Sequence, residues 1–121
     1  MRKHDLEDRL INFAVLIIGV TCQLPNNTVG KHLRGQLVRS GTSSALNYGE
    51  AQSGESRKDF IHKMKIALKE LRETYIGLKI IQKAKLINQP EKLEITLLEN
   101  DELISIFVKS VETAQKNLNN K

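Results

Sequence analysis

The sequence is poor in cysteine and in aromatic residues, and both shortages narrow the class of protein. Its one cysteine, Cys22, cannot form an internal disulfide, which argues against a small secreted scaffold and suits a reducing compartment. Tryptophan is absent and aromatic residues make up 4% of the chain, so leucine, isoleucine, valine and alanine must fill the core. That composition favours helices over strands.

The sequence also lacks a hydrophobic run long enough to cross a membrane. The most apolar stretch, LINFAVLIIGVTC, is shorter than a membrane-spanning helix. Asp5, Glu7 and Asp8 crowd the region where a secretory leader needs positive charge. We therefore predict a cytoplasmic protein with no membrane partner, and its 121 residues fit one domain, residues 1–121.

Positive charge is concentrated in the middle of the chain. The formal net charge is +5. Residues 25–88 contain twelve basic and five acidic side chains, whereas residues 89–121 contain four and six. A surface built from the middle of the chain is expected to attract polyanions.

Four segments place apolar residues at three- and four-residue steps, the spacing of an amphipathic helix. They predict helices over residues 3–22, 28–52, 56–86 and 90–117, separated by turns at Pro25 and Pro90 and by a capping residue at Ser56. The predicted apolar stripes include Phe13 and Ile18 on the first helix, Phe60 and Ile81 on the third, and Ile104 and Val108 on the fourth. Short connections between long helices favour an all-α, antiparallel up-down-up-down bundle.

The second segment contains RSGTSS, a run of poor helix formers. Its helical face nevertheless stays in phase through Leu33, Leu37, Ser40, Gly41, Ser44, Tyr48 and Ala51. The run lacks the spaced glycines and the lysine of a phosphate-binding loop, and no histidine lies at a spacing that identifies a base for a nucleophilic serine. We therefore expect a helix that packs closely against a neighbour.

Six cations of the third helix fall within one arc of about 80°, opposite its apolar stripe. They are Lys58, Lys65, Lys69, Arg72, Lys79 and Lys83. Such a row is typical either of a solvated face or of a surface that contacts nucleic-acid phosphates, with Lys31 and Arg34 as additional contacts. Because the arc has no aromatic residue, binding there would be weakly sequence-specific.

Five aliphatic residues point away from the predicted core on the second and third helices. They are Val38, Leu46, Ile66, Ile76 and Ile80. A four-helix monomer leaves them unburied, which favours contact with other subunits.

The segments QLVRSGTSSALNYGEA and SRKDFIHKMKIALKELRET resemble the proteins encoded within intervening sequences of bacterial large-subunit (23S) ribosomal RNA genes. The elements in common are Gln-Leu-x-Arg-Ser-Gly-x-Ser from Gln36, Asn-Tyr-x-Glu-Ala from Asn47, Asp-Phe-Ile-x-Lys from Asp59, Ala-Leu-Lys-Glu from Ala67, and Glu73-Thr74. The chain departs from the family pattern at Ser44-Ala45-Leu46 and at Tyr75.

The resemblance implies a left-handed bundle that assembles as a ring, typically a homopentamer. It also implies kinship with the accessory protein of diversity-generating retroelements, which has a similar fold and binds nucleic acid. It brings no settled biochemical activity for this branch.

The sequence therefore predicts a non-enzymatic, oligomeric RNA-binding protein, with a protein-protein scaffold as the alternative. No catalytic pair, metal site or cofactor motif stands out. The charged and polar members of the family pattern are expected to form a structural network that fixes helix register. They are Arg39, Ser40, Glu50, Asp59, Glu70 and Glu73.

Overall fold

The structure is a computed structural model that describes the backbone of residues 3–120 and the side chains of residues 5–120. Within that part it contains four helices and no strand: α1 (Lys3–Thr21), α2 (Thr28–Gln52), α3 (Arg57–Ala84) and α4 (Pro90–Asn119). The all-α prediction is confirmed, and each predicted helix end differs from the observed one by two residues or fewer. None of these helices combines the length and hydropathy that a membrane span requires.

The helices pack in a closed order around one core. Each helix contacts the next one along the chain, and α4 also contacts α1. Contacts between α2 and α3 run in opposite directions along the two helices. Ser40 bonds to Thr74, whereas Glu50, ten positions later in α2, bonds to Lys63, which is earlier in α3. The two helices therefore run antiparallel, and all four elements bury their apolar stripes against one another.

Specific side chains fix the helix ends. The Asn27 side chain accepts a hydrogen bond from the backbone N–H of Gly30 at 2.8 Å, and Ser56 Oγ accepts one from Asp59 N at 3.1 Å. Pro90 occupies the first turn of α4, where its missing N–H costs nothing. Lys85 ends α3 in the left-handed region at φ 53°. Asn27, Ser56 and Pro90 lie where periodic segments begin, and Lys85 lies where one ends.

The core follows the predicted stripes with three corrections. On α1, Ile18 is 45% exposed and Val20 is buried, because the buried arc of α1 is centred between Leu10 and Phe13, whereas Ile18 lies on the exposed face of the helix. On α3, Phe60 is only half-buried, because it lines a surface groove beside Ile106 and Ser110 of α4, whereas the adjacent Ile61 is buried.

The third correction concerns α4, where the buried face is rotated relative to the predicted stripe. Leu103 is fully buried, whereas Ile104 and Val108 are only half-buried. Two polar residues, Thr96 and Asn100, are also fully buried on this face. The helix is rotated so that this mixed face packs against α1 and α3.

The small residues of α2 allow the close approach that the sequence predicts. A Cβ at Gly41 would lie 2.9 Å from the side chain of Ile17 on α1, closer than side chains normally pack. Ser44 Oγ donates to the carbonyl of Gly41 at 3.1 Å, and the Thr74 hydroxyl of α3 donates to Ser40 Oγ at 2.8 Å. RSGTSS is therefore a helical segment whose buried face consists of Ser40, Gly41 and Ser44, and both buried hydroxyls are hydrogen-bonded.

Candidate nucleic-acid interface

The six predicted cations form one row along the outer face of α3, which we call the basic row. Lys79 is half-buried, and the other five side chains are exposed. Four of the six, Lys58, Lys65, Arg72 and Lys79, repeat every seven residues and are therefore about 10 Å apart along the helix axis. The row spans about 38 Å, long enough to contact several phosphates of one nucleic-acid strand.

The carboxylates beside the basic row are engaged by a residue of another helix. Arg39 of α2 donates from Nη1 to Glu70 Oε2 and from Nη2 to Glu73 Oε2, both at 3.1 Å. The hydrogen bond to Glu73 and the charge of Glu70 raise the pKa of Arg39 above its ordinary value. Among the side chains of residues 5–120, no carboxylate pairs with any cation of the basic row. The row therefore keeps its positive charge.

The two additional cations of α2 differ in their surroundings. Lys31 is exposed. Arg34 is half-buried and donates to the carbonyls of Thr21 and Leu24, at 3.4 and 3.1 Å. Arg34 thus holds the connection between α1 and α2, which restricts its use as a phosphate contact.

The predicted structural network joins α2 to α3. Besides the Arg39 pairs, Lys63 Nζ donates to Glu50 Oε1 at 2.7 Å and Thr74 bonds to Ser40. Asp59 takes part through its backbone N–H, which Ser56 caps, while its side chain lies in the exposed first turn of α3. Most of these contacts therefore set the pairing of two neighbouring helices.

The aliphatic residues predicted at a subunit interface are exposed to different degrees. Leu46, Ile76 and Ile80 are 66%, 60% and 47% exposed, whereas Val38 and Ile66 are half-buried. The structure adds further exposed aliphatic side chains that the sequence reasoning missed: Ile11, Val15 and Ile18 on α1, Val29 on α2, and Ile95 and Leu98 on α4. Ile11, Val15 and Ile18 lie on one face of α1 at four- and three-residue steps. This pattern is visible in the sequence, but Ile18 also fits the predicted core stripe.

Two surface depressions adjoin the basic row, and they share Lys65. The first, the α3 depression, has a volume of about 450 Å³ and is lined by Lys65, Leu68, Lys69, Arg72, Glu73 and Ile76. The second, the α3–α4 groove, has a volume of about 540 Å³ and is lined by Lys65, Val111, Glu112, Gln115, Lys116, Asn119 and Asn120. Sequence reasoning missed the groove because Lys65 and the lining residues of α4 are distant in sequence and come together only when α3 and α4 pack side by side.

No arrangement for metal binding or for disulfide formation is present in the part of the chain that the structure describes. No three His, Cys, Asp or Glu side chains there are close enough to hold a metal ion. Cys22 is a free, exposed thiol just after α1.

Comparison with known proteins agrees with the fold and with the sequence resemblance. The family model described as 23S rRNA-intervening sequence protein matches residues 2–109. A crystal structure of a protein of unknown function from the S23 ribosomal protein family of Bacteroides thetaiotaomicron superposes with a TM-score of 0.79. The two chains are 32% identical, and the match covers 88% of this chain and 97% of the other. No curated protein matches this chain.

The family match covers most of the chain, including the α2–α3 pair that carries the shared residues. The chain therefore belongs to the 23S rRNA-intervening sequence protein family.

Proposed function

We propose that this protein is a non-enzymatic, oligomeric RNA-binding protein whose basic row contacts the phosphates of RNA. The observation that carries the proposal is the pairing of Glu70 and Glu73 with Arg39, since it engages the two neighbouring carboxylates and leaves the six cations of the basic row without a carboxylate partner among the described side chains. A row of uncompensated cations binds a polyanion chiefly by releasing counterions.

The composition of the basic row defines the kind of binding. Lysine and arginine supply charge and hydrogen-bond donors to phosphate, but the row has no aromatic side chain on which a base could stack. Binding along the row should therefore depend strongly on salt and only weakly on sequence. The charged residues of the family pattern pair across helices, which favours a structural role over a catalytic one.

The test is the salt dependence of binding to structured RNA, measured by fluorescence anisotropy. Lys69→Gln combined with Arg72→Gln should weaken binding and reduce the slope of log affinity against log salt by about 1.5, since each phosphate contact contributes about 0.7 to 0.9. Lys92→Gln combined with Lys109→Gln removes the same charge from exposed positions on α4 and should leave the slope unchanged. Affinity that does not respond to salt, or no binding near physiological salt, would contradict the proposal.

We also propose that the chain assembles with itself, as the family resemblance implies. The most exposed of the residues assigned to this interface, Leu46 and Ile76, lie on the adjacent helices α2 and α3. Contact with another subunit would remove these apolar side chains from water, and this burial stabilises an oligomer.

A protein-protein scaffold is the second candidate, and the outer face of α4 favours it. Ile95 and Leu98 are 57% and 70% exposed there, on a helix that also carries Glu91, Glu94 and Glu102. An apolar centre with an acidic surround suits a partner with complementary charge. Purification from the native host discriminates the two functions: recovery of one stoichiometric protein without RNA would favour the scaffold, and recovery of RNA would favour RNA binding.

A further inference from the structure

The α3–α4 groove combines three kinds of side chain that the basic row does not bring together. Val111 is a half-buried aliphatic residue within it, while Lys65 and Lys116 supply a cation from each helix. Gln115 and Asn119 supply carboxamides, which both donate and accept hydrogen bonds. The groove thus offers apolar surface, positive charge and directional polar groups in one place.

The two carboxamides are available for other partners. Gln115 Nε2 donates to Asn119 Oδ1 at 3.4 Å, a long and therefore weak bond between exposed groups. Neither carboxamide is buried, so a ligand can replace their mutual bond with little loss. Glu112 adds a carboxylate that accepts hydrogen bonds but cannot donate any.

The groove is also continuous with the basic row, because Lys65 lines both the groove and the α3 depression. A strand whose phosphates follow the row would therefore reach the groove without leaving the surface. The hydrogen-bonding edges of a base are most accessible in unpaired RNA, where they can contact carboxamides and carboxylates.

We propose that the α3–α4 groove binds an unpaired RNA base whose exocyclic amino group adjoins a ring-nitrogen acceptor, which is the case in adenine and cytosine. This inference rests on the proposed RNA-binding function and adds a specificity element to it. Glu112 accepts a hydrogen bond from the amino group, which uracil lacks. Gln115 and Asn119 bond to the remaining edge of the base, and Lys65 and Lys116 contact the flanking phosphates.

The experiment compares single-stranded oligo(C) with single-stranded oligo(U) of equal length, at neutral pH and several salt concentrations. The wild-type protein should bind oligo(C) at least fivefold more tightly than oligo(U). Glu112→Gln keeps the side-chain length but adds a donor, and it should bring the two affinities within twofold of each other. Glu94→Gln, the matched control, makes the same charge change at an exposed position on α4 and should preserve the preference.

The outcomes separate this inference from the function on which it rests. Salt-dependent binding with equal affinity for the two strands would overturn the groove assignment and leave the RNA-binding proposal intact. A Glu112→Gln variant that keeps the full preference for oligo(C) would overturn the groove assignment as well. Absence of salt-dependent binding to either strand would overturn both proposals. Circular dichroism of each variant verifies that its helices are intact.

Discussion

Single residues in this protein decide how closely helices and turns approach one another. Gly30, in the first turn of α2, has the least room of the seven glycines: a Cβ there would lie 1.8 Å from the carbonyl oxygen of Pro25. The opposing atom belongs to the backbone, so no change of rotamer relieves the clash. Gly35, one and a half turns later, has no atom within 4 Å of its Cβ position.

These two glycines give the first prediction. Gly30→Ala should lower the free energy of unfolding by about 1–3 kcal/mol, because the turn at Pro25 must move to admit the methyl group. Gly35→Ala, the control, should stabilise the protein by up to about 1 kcal/mol, because alanine favours the helix where space is free. Urea denaturation measures both. Equal effects of the two substitutions would contradict the close approach at Gly30.

Arg39 gives a second prediction at the scale of the residue, one that links structure to binding. Arg39→Ala should weaken RNA binding although Arg39 is outside the basic row, because Glu70 and Glu73 then oppose the phosphates with unpaired charge. Arg39→Ala combined with Glu70→Gln and Glu73→Gln should restore the affinity. The salt-titrated binding assay checks this, and failure of the triple variant to recover would contradict it.

The same substitution also tests the structural network. We expect Arg39→Ala to lower the melting temperature or the oligomer mass, because the side chain joins α2 to α3. An unchanged melting temperature together with an unchanged mass would contradict the structural role.

At the scale of the element, the pairing of α3 with α4 depends on a buried amide. Asn100 is completely buried, and its Nδ2 donates to the backbone carbonyl of Leu71 at 3.0 Å. Within the described part of the chain, Asn100 Oδ1 is a buried acceptor without a hydrogen-bond partner. A half-satisfied amide reduces stability but favours one register of the two helices, because other registers would leave both of its ends unpaired.

Replacing this amide therefore gives the prediction for the α3–α4 pair. Asn100→Leu should raise the free energy of unfolding by about 1–3 kcal/mol, because it removes the unsatisfied acceptor and keeps the same branched arrangement of four side-chain heavy atoms. Asn100→Asp should destabilise the protein, because the core would then hold a carboxyl group with no cation beside it. Urea denaturation again gives both values, and a less stable Asn100→Leu variant would show that the amide is better satisfied than its contacts indicate.

At the scale of the whole molecule, the exposed aliphatic residues predict assembly. The wild-type protein should sediment as an oligomer, near five times the chain mass of 13.7 kDa, as the family resemblance implies. Leu46→Glu combined with Ile80→Glu should lower the mass, because charge at an apolar contact must be desolvated. Leu98→Glu, which places the same charge on the outer face of α4, should leave the mass unchanged. A monomeric wild-type protein would contradict the proposal.

The sequence predicted the bounds of the helices more accurately than it predicted how the helices pack against one another. Periodicity gave the helix bounds and the buried face of α2, including Ser40 and Gly41, because a face repeats locally whatever packs against it. It placed Phe60 and Ile104 in the apolar stripe, whereas both are half-buried at the edge of the core, because the buried arc of a helix depends on how the neighbouring helices are rotated. The α3–α4 groove was missed for the same reason, since it exists only where two helix segments distant in sequence lie side by side.

The sequence by itself determined the all-α class, the four helices, the cation row on α3 and membership of the family. These properties depend on residue order within one segment or on a pattern of shared residues. The tertiary structure alone decided that Arg39 neutralises the carboxylates beside the row, that Asn100 is buried, and that Lys65 and Glu112 share a groove. Those properties depend on contacts between helices, whose rotation and stagger are set by the packing of the whole core.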